Sequence, residues 1–312
     1  LTMNKFIILP DVTCDLSKET REKFNLTDYI PSHIILPDGS ERKGTLEWDW
    51  TTSKDFYKAI KKRNNGYSTS PASIDEIKEK FKYYLNQGYD ILFMSISSKL
   101  SGTYNFALKA REELLPLYPD RKILCFDSLR YSLCFGLLVT KACEFRDRGL
   151  SIDDTYTELL KLRSCVHQMG PMEDLFFLAS KGRISNGKAF MGSLIGIRPL
   201  GDINNVGTTT VLGKVKSKKA AIEATIKYIE KTIVNPKDQY IFIAHTEREE
   251  EANLLKNAIE EHIKPKGIII NECYCMTGTN IGPGLYAAYY IGKELSENLV
   301  EEQKIMNTIL GK

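Results

Sequence analysis

The chain is predicted to be a two-domain α/β protein. Residues 1–168 should form a doubly wound parallel sheet (α/β/α), and residues 169–312 a two-layer α/β unit with a mixed sheet. Three observations predict this. At 312 residues the chain exceeds the size at which a single hydrophobic core usually stops growing. In the first half, short apolar runs alternate with amphipathic stretches over short links, the rhythm of helices laid on a parallel sheet. In the second half that rhythm changes, and Gly170-Pro171 interrupts the pattern, so the boundary is expected between 166 and 174.

The elements follow in order. Phe6-Ile7-Ile8-Leu9, closed by Pro10-Asp11, reads as a buried first strand. Ile34-Ile35-Leu36 ends at the turn Pro37-Asp38-Gly39. Residues 55–63 read as a helix, and Ser73-Ile74-Asp75-Glu76 opens another with a capping box. That helix stops at Gly88, before a continuous apolar strand at 90–96. Helix 102–115, strand 122–126 and helix 133–146 complete the first half. Beyond it, 175–179 reads as a strand, 189–195 as helical and 197–203 as extended. The β-branched run at 208–215 fits a strand. Helix 218–234, strand 240–244, helix 247–262 and strand 268–275 come next. A buried helix at 281–294 follows a Gly-rich loop, and the helices should lie mostly on one face.

Composition excludes several classes. With 42% hydrophobic and 27% charged residues the chain is an ordinary folded one. Its 43 basic and 40 acidic side chains leave a net charge of +3, too even for a nucleic-acid-binding face. Lys214, Lys216, Lys218 and Lys219 cluster, but most simply as a solvated strand end and helix start, with docking of an acidic partner as the minority reading. No apolar run approaches the roughly 18 to 20 residues of a membrane span. The first apolar run is too short for a secretory signal, so a cytoplasmic protein is expected. Seven cysteines without a CxxC pair suggest free thiols, and no His, Cys, Asp or Glu set has metal-ligand spacing.

The chemistry-bearing residues gather where predicted strands end, the edge at which open α/β sheets bind ligands. Asp11-Val12-Thr13-Cys14-Asp15 follows the first strand, and Ser95 to Thr103 contains four serines and a threonine. Ser68-Thr69-Ser70-Pro71 reads as a loop before a helix, and Asp127-Ser128 is left as a cap. Hydroxyls and free N–H groups at helix starts can cradle an anion; the alternative is that each residue simply caps its helix. The 95–103 run carries more hydroxyls than one cap requires. Arg183, beside Gly182, can present a five-donor fork to a carboxylate or phosphate, or form a surface ion pair. Gly278 to Gly284 is neither a P-loop nor a GxGxxG turn. His245 keeps a second reading open, a serine-nucleophile hydrolase or acyl-transferase using Ser101 or Ser98, although no GxSxG elbow is present.

In order, Asp11-Val12-Thr13-Cys14-Asp15-Leu16, Thr69-Ser70-Pro71-Ala72-Ser73, Ser97 to Asn105, Asp127-Ser128, Gly182-Arg183-Ile184-Ser185, 194–200, Lys218-Lys219-Ala220 and Gly282-Pro283-Gly284 resemble the DegV family of bacterial lipid-binding proteins. The resemblance runs over essentially the whole chain. It implies one long-chain fatty acid, such as palmitate or oleate, buried between the two domains. Thr69 and Ser101 would bond its carboxylate, with Ser98 and Gly102 nearby and Arg183 and the Asn280–Gly284 loop bordering it. The ligand-binding set is therefore Thr69, Ser70, Ser97, Ser98, Ser101, Gly102, Arg183, Asn280, Gly282 and Gly284, with no catalytic residue, metal or cofactor. The resemblance further implies a carrier that presents its acid to a separate ATP-dependent fatty acid kinase. The sequence departs from the family pattern at three places. Asn280 stands where a His is usual, Pro71 replaces an amide residue, and Thr246-Glu247-Arg248 follow His245 where a small residue and Gly are typical.

Overall fold

The computed structural model describes residues 5–62, 64–184 and 196–312; the helix expected at 189–195 and Ser185 of the Gly-Arg-Ile-Ser motif lie outside them. Strands β1 (Phe6–Pro10), β5 (Asp90–Ser95) and β6 (Ile123–Asp127) form a parallel sheet in the order β1-β5-β6. Alternation of side chains along each strand separates its two faces. Ile7, Leu9, Ile91, Phe93, Ile123 and Cys125 pack against helices α3 (Ile74–Leu85) and α4 (Thr103–Leu114). Phe6, Ile8, Leu92, Met94 and Phe126 pack on the opposite side, with α5 (Ser132–Asp147), beside which lies α6 (Ile152–Arg163). The first half is doubly wound, as the alternating pattern predicts. α3 begins at the predicted capping box, Ser73 and Glu76 each bonding the other's backbone N–H. Two shorter helices, α1 (Lys18–Lys23) and α2 (Ser53–Ile60), come earlier in the chain.

A second sheet runs β11-β10-β12-β7. In it β10 (Tyr240–His245) is parallel to β11 (Gly267–Glu272) and antiparallel to β12 (Tyr286–Ile291), which pairs antiparallel with β7 (Val166–Met169). On one face, Ile241, Ile243, Ala288 and Tyr290 pack with Ile226 and Ile229 of α8 (Lys218–Thr232) and with Leu255 and Ile259 of α9 (Glu249–His262). On the other, Phe242, Ala244, Ala287 and Tyr289 belong to the same core as α5. Thus α5 lies between the two sheets, which explains the sequence of its first half: Ser132 to Thr140 are all buried and mostly apolar, as in a helix segment with no solvent face, and charged residues enter only from Lys141 on. Strands β8 (Arg198–Ile203) and β9 (Thr209–Val215) form a separate hairpin.

The structure corrects several expectations. Residues expected as a strand at 175–179 form the short helix α7 (Leu175–Ser180), because the Asp174 side chain accepts the N–H of Phe177 and starts a helix; a five-residue apolar run does not reveal its period. The buried helix expected at 281–294 is instead strand β12. Its Tyr-Ala-Ala-Tyr-Tyr-Ile run is buried on both faces between β10 and β7, so it lacks the alternation that marks a half-exposed strand. The Gly-rich loop expected before it is largely helical: α10 (Cys275–Ile281) contains Gly278 and Asn280 and ends at Gly282, whose φ is +75°. Finally, Ser68–Ser70, expected as a loop, is strand β4 on a small antiparallel sheet with β2 (Ser32–Ile35) and β3 (Glu41–Gly44).

Candidate ligand cavity

The loops that follow β1 and β5 meet β2, β4, α10 and the turn after α7 around a cavity of about 190 Å³. Residues on both sides of the expected domain boundary line it. Asp11 joins the first two loops: one carboxylate oxygen accepts the Thr13 N–H at 2.8 Å and the Thr13 hydroxyl at 2.5 Å, and the other accepts the Ile96 N–H at 2.6 Å. Burial pushes the Asp11 carboxyl above the usual range, against the pull of those hydrogen bonds. The second loop is anchored at its base, where the Ser97 N–H donates to the Arg130 carbonyl (2.8 Å) and the Ser98 N–H to Asp127 Oδ1 (3.1 Å). That anchoring carries Ser101 and Gly102 to the cavity wall, with Ser101 Oγ 2.8 Å from Thr103 Oγ1 at the start of α4.

The opposite wall comes from β4 and α10. Thr69 Oγ1 accepts a hydrogen bond from Asn280 Nδ2 (3.0 Å), which also donates to the Met276 carbonyl one turn earlier (3.0 Å). α10 is itself fastened to the first half of the chain. The buried Asp15 carboxylate accepts the Ser132 hydroxyl (2.7 Å) and the Tyr274 N–H (3.0 Å), and Tyr57 donates to the Cys273 carbonyl (2.7 Å). Burial raises the Asp15 pKa to about 7.

Charge in the cavity is one-sided. Among the described lining residues there is no Asp or Glu, and Arg183 is the cation. Its Nη1 donates to the Lys181 carbonyl (2.8 Å), and Lys181 Nζ donates to the Tyr67 carbonyl (3.1 Å). Burial and the neighbouring guanidinium hold the Lys181 pKa below its usual value. Ile96, Leu100, Leu178, Met276, Ile281 and Tyr131 supply the apolar remainder. A lining that combines hydroxyls and a cation with aliphatic side chains suits an anion carrying an apolar tail.

Of the residues expected from sequence, Thr69, Ser70, Ser101, Gly102, Arg183 and Asn280 are brought together in this lining. Ser97 and Ser98 lie behind it as the loop's anchors. Gly282 and Gly284 lie behind it too. A Cβ on Gly282 would run into the Phe177 ring and one on Gly284 into Glu173, so these glycines let the chain pass close to α7. Ser32, Tyr131, Leu178 and Met276 were missed, since nothing local distinguishes them from core residues. Thr13 belongs to the polar cluster noted after the first strand, although it is outside the expected binding set. His245 is not in the lining. Its Nδ1 lies 3.4 Å from the Arg248 N–H nitrogen and 3.9 Å from Glu272, and burial lowers its pKa to about 4. Ser101 Oγ meets Thr103 Oγ1 instead, so His245 is not placed as the base the hydrolase reading assigns to it. Among the described residues no three His, Cys, Asp or Glu side chains group to hold a metal, and no helix is long and apolar enough to cross a membrane.

Fold and cavity together define an α/β protein with two main sheets and a pocket lined by both hydroxyl-bearing and aliphatic side chains. The chain belongs to the DegV family, whose description is "Uncharacterised protein, DegV family" and which matches residues 5–293. A DegV domain-containing protein of Clostridium perfringens is 34% identical over 93% of this chain and 98% of its own. Among solved structures, a DegV lipid binding protein of Thermotoga maritima is 28% identical with a TM-score of 0.78, covering 93% of this chain and 99% of that one. DegV of Bacillus subtilis, a fatty acid binding protein, is 25% identical with a TM-score of 0.78, covering 94% and 100%.

Proposed function

We propose that this protein binds a long-chain fatty acid, such as palmitate or oleate, in the cavity, with its carboxylate at Thr69, Ser70, Ser101, Gly102 and Arg183 and its tail among the aliphatic side chains. The observation that carries this reading is that the described lining residues include no carboxylate, but combine hydroxyls and a guanidinium with aliphatic groups. The lipid and fatty acid binding of the Thermotoga and Bacillus relatives supports it. Each methylene leaving water contributes about 0.8 kcal/mol, so the tail supplies affinity while the hydroxyls orient the head. Ser97, Ser98, Gly282 and Gly284 shape the supporting loops. The domains divide between 166 and 174, and the ligand bridges them.

The protein acts as a cytoplasmic carrier without chemistry of its own. A separate kinase subunit supplies ATP; the bound carboxylate oxygen attacks the γ-phosphorus, giving an acyl phosphate and ADP. The test is native and denaturing mass spectrometry on protein purified from bacterial cells. Wild type should carry a mass excess equal to a long-chain fatty acid, lost or reduced on combining Thr69→Ala with Ser101→Ala. No bound lipid, together with no uptake of added palmitate or oleate, would refute the reading. Turnover of a chromogenic ester, abolished by Ser101→Ala, would instead favour a hydrolase.

A further inference from the structure

We infer that the outer edge of strand β11 is a self-association surface, where a second copy of this chain adds its own β11 antiparallel across a two-fold axis. The backbone identifies the surface. The Cys273 N–H donates to the His245 carbonyl at 2.9 Å, and His245 stands opposite Glu272 in the parallel β10–β11 pair. Successive residues of a strand turn their N–H and C=O groups to opposite sides. Gly267, Ile269 and Asn271 therefore face β10, while Ile268, Ile270 and Glu272 face outward, at the end of the sheet. The Glu272 carbonyl accepts Asn271 Nδ2 (3.1 Å). Among the described residues, no hydrogen bond from elsewhere in the chain reaches the outward N–H and C=O groups of Ile268 and Ile270.

Other strand edges are covered or charged. On β6 the outward carbonyls of Ile123, Cys125 and Asp127 accept hydrogen bonds from Arg111, Tyr156 and Arg163. β7 meets the Asp202 carboxylate and the Arg130 guanidinium, and β3 displays exposed Glu41, Arg42 and Lys43. β11 has none of these devices. Its Gly-Ile-Ile-Ile-Asn-Glu run contains no proline or lysine, keeps unbroken register with β10 and is half-buried along its whole length. An open apolar edge of this kind is a template for another strand.

Self-complementarity identifies the occupant. In an antiparallel pair, outward-facing residues stand opposite one another and exchange both hydrogen bonds. A two-fold axis at Ile269 sets Ile268 of each copy against Ile270 of the other, on the face that packs with α8 and α9. Ile269 meets its own counterpart on the α5 face. The same axis sets Lys266 against Glu272. Lys266 is exposed and meets no carboxylate among the described residues; its ammonium lies 5.1 Å from the centre of the Tyr240 ring. Glu272 accepts hydrogen bonds from the Ser53 hydroxyl and the Glu247 N–H, but has no lysine or arginine partner among the described residues. Moving the axis one residue either way would set Lys266 against Ile270 or Tyr274, so one register matches both the isoleucines and the charges. It joins the two four-stranded sheets into one.

The test is sedimentation of the full chain over a concentration series, with hydrogen exchange followed at Ile268 and Ile270. Two short strand edges make a small interface, so the dimer should be weak and concentration-dependent, and both amides should gain protection as it forms. Lys266→Glu should weaken the dimer about tenfold, and combining it with Glu272→Lys should restore association. Ile270→Pro removes an outward N–H, a change that an edge strand tolerates, and should abolish the dimer. If Ile270→Pro does not fold by circular dichroism, Lys266→Glu and its rescue decide alone. A monomer at every concentration, or a dimer that withstands Lys266→Glu and leaves the two amides unprotected, would overturn the inference.

Discussion

His167 and Asp15 are buried ionisable side chains on either side of α5, and each ties local chemistry to folding. His167 Nδ1 lies 2.7 Å from Asp202 Oδ2 and its Nε2 2.7 Å from the Lys293 carbonyl oxygen. Both partners are acceptors, so both nitrogens carry hydrogen and the ring is an imidazolium. Burial opposes that charge, but the Asp202 charge and the two hydrogen bonds override it and raise the pKa above the ordinary 6.5. A raised histidine pKa gives stability that is complete below the unfolded value and is lost as pH rises through the folded one. Asp15 is raised from 3.8 to about 7 by burial; the folded state then holds a proton that the unfolded chain has released, and stability also falls as pH climbs across that window. Urea unfolding should therefore show stability declining from about pH 4 to 7 through Asp15 and further above 6.5 through His167. Asp15→Asn should flatten the first slope and His167→Gln the second. Slopes unchanged by either substitution would refute these assignments.

Among elements, the β8–β9 hairpin matters more to the cavity than its place outside both sheets suggests. Its tip carries Gly207 at φ +92°, where a Cβ would run into Ser97 Oγ and the Leu129 backbone. The tip thus seats directly on the loops that leave β5 and β6, and the first of these delivers Ser101 and Gly102 to the cavity. Gly207→Ala combines an unfavourable backbone conformation with a steric clash, and should cost about 1–3 kcal/mol. Because the Ser97 loop must yield, palmitate affinity should fall as well. Denaturant unfolding and a binding titration on the same variant check both, and a loss of stability with unchanged affinity would show that the hairpin supports the fold alone.

For the whole molecule, α5 decides how the two sheets behave. It packs against the parallel sheet with one side and against β10 and β12 with the other, in one continuous core that includes Leu92, Phe135, Leu138, Phe242 and Tyr289. Separating the sheets would expose apolar surface on both sides of the buried part of this helix, so the chain should unfold in one cooperative transition. A fatty acid bound only to the folded state should move that transition upward, by about 2.7 kcal/mol of stability when free ligand reaches a hundred times the dissociation constant. Scanning calorimetry with and without oleate measures both. Two resolved transitions would mean that α5 belongs energetically to one sheet only.

The sequence by itself determined the doubly wound first half, the family, and the hydroxyl-rich loop at 97–103. Each of these is local: alternation, capping signals and motif order are written over a few neighbouring residues. Tertiary structure alone decided β12, α7, α10 and the composition of the cavity. β12 is buried on both faces and so shows no period, while α7 and α10, at six and seven residues, are too short to display one. The cavity is further from legible. Asn280 meets Thr69 across 211 positions of chain, and Tyr131, Leu178 and Met276 become lining residues only where separate elements converge. Such contacts arise from packing between surfaces, and local residue patterns do not record which surfaces will meet.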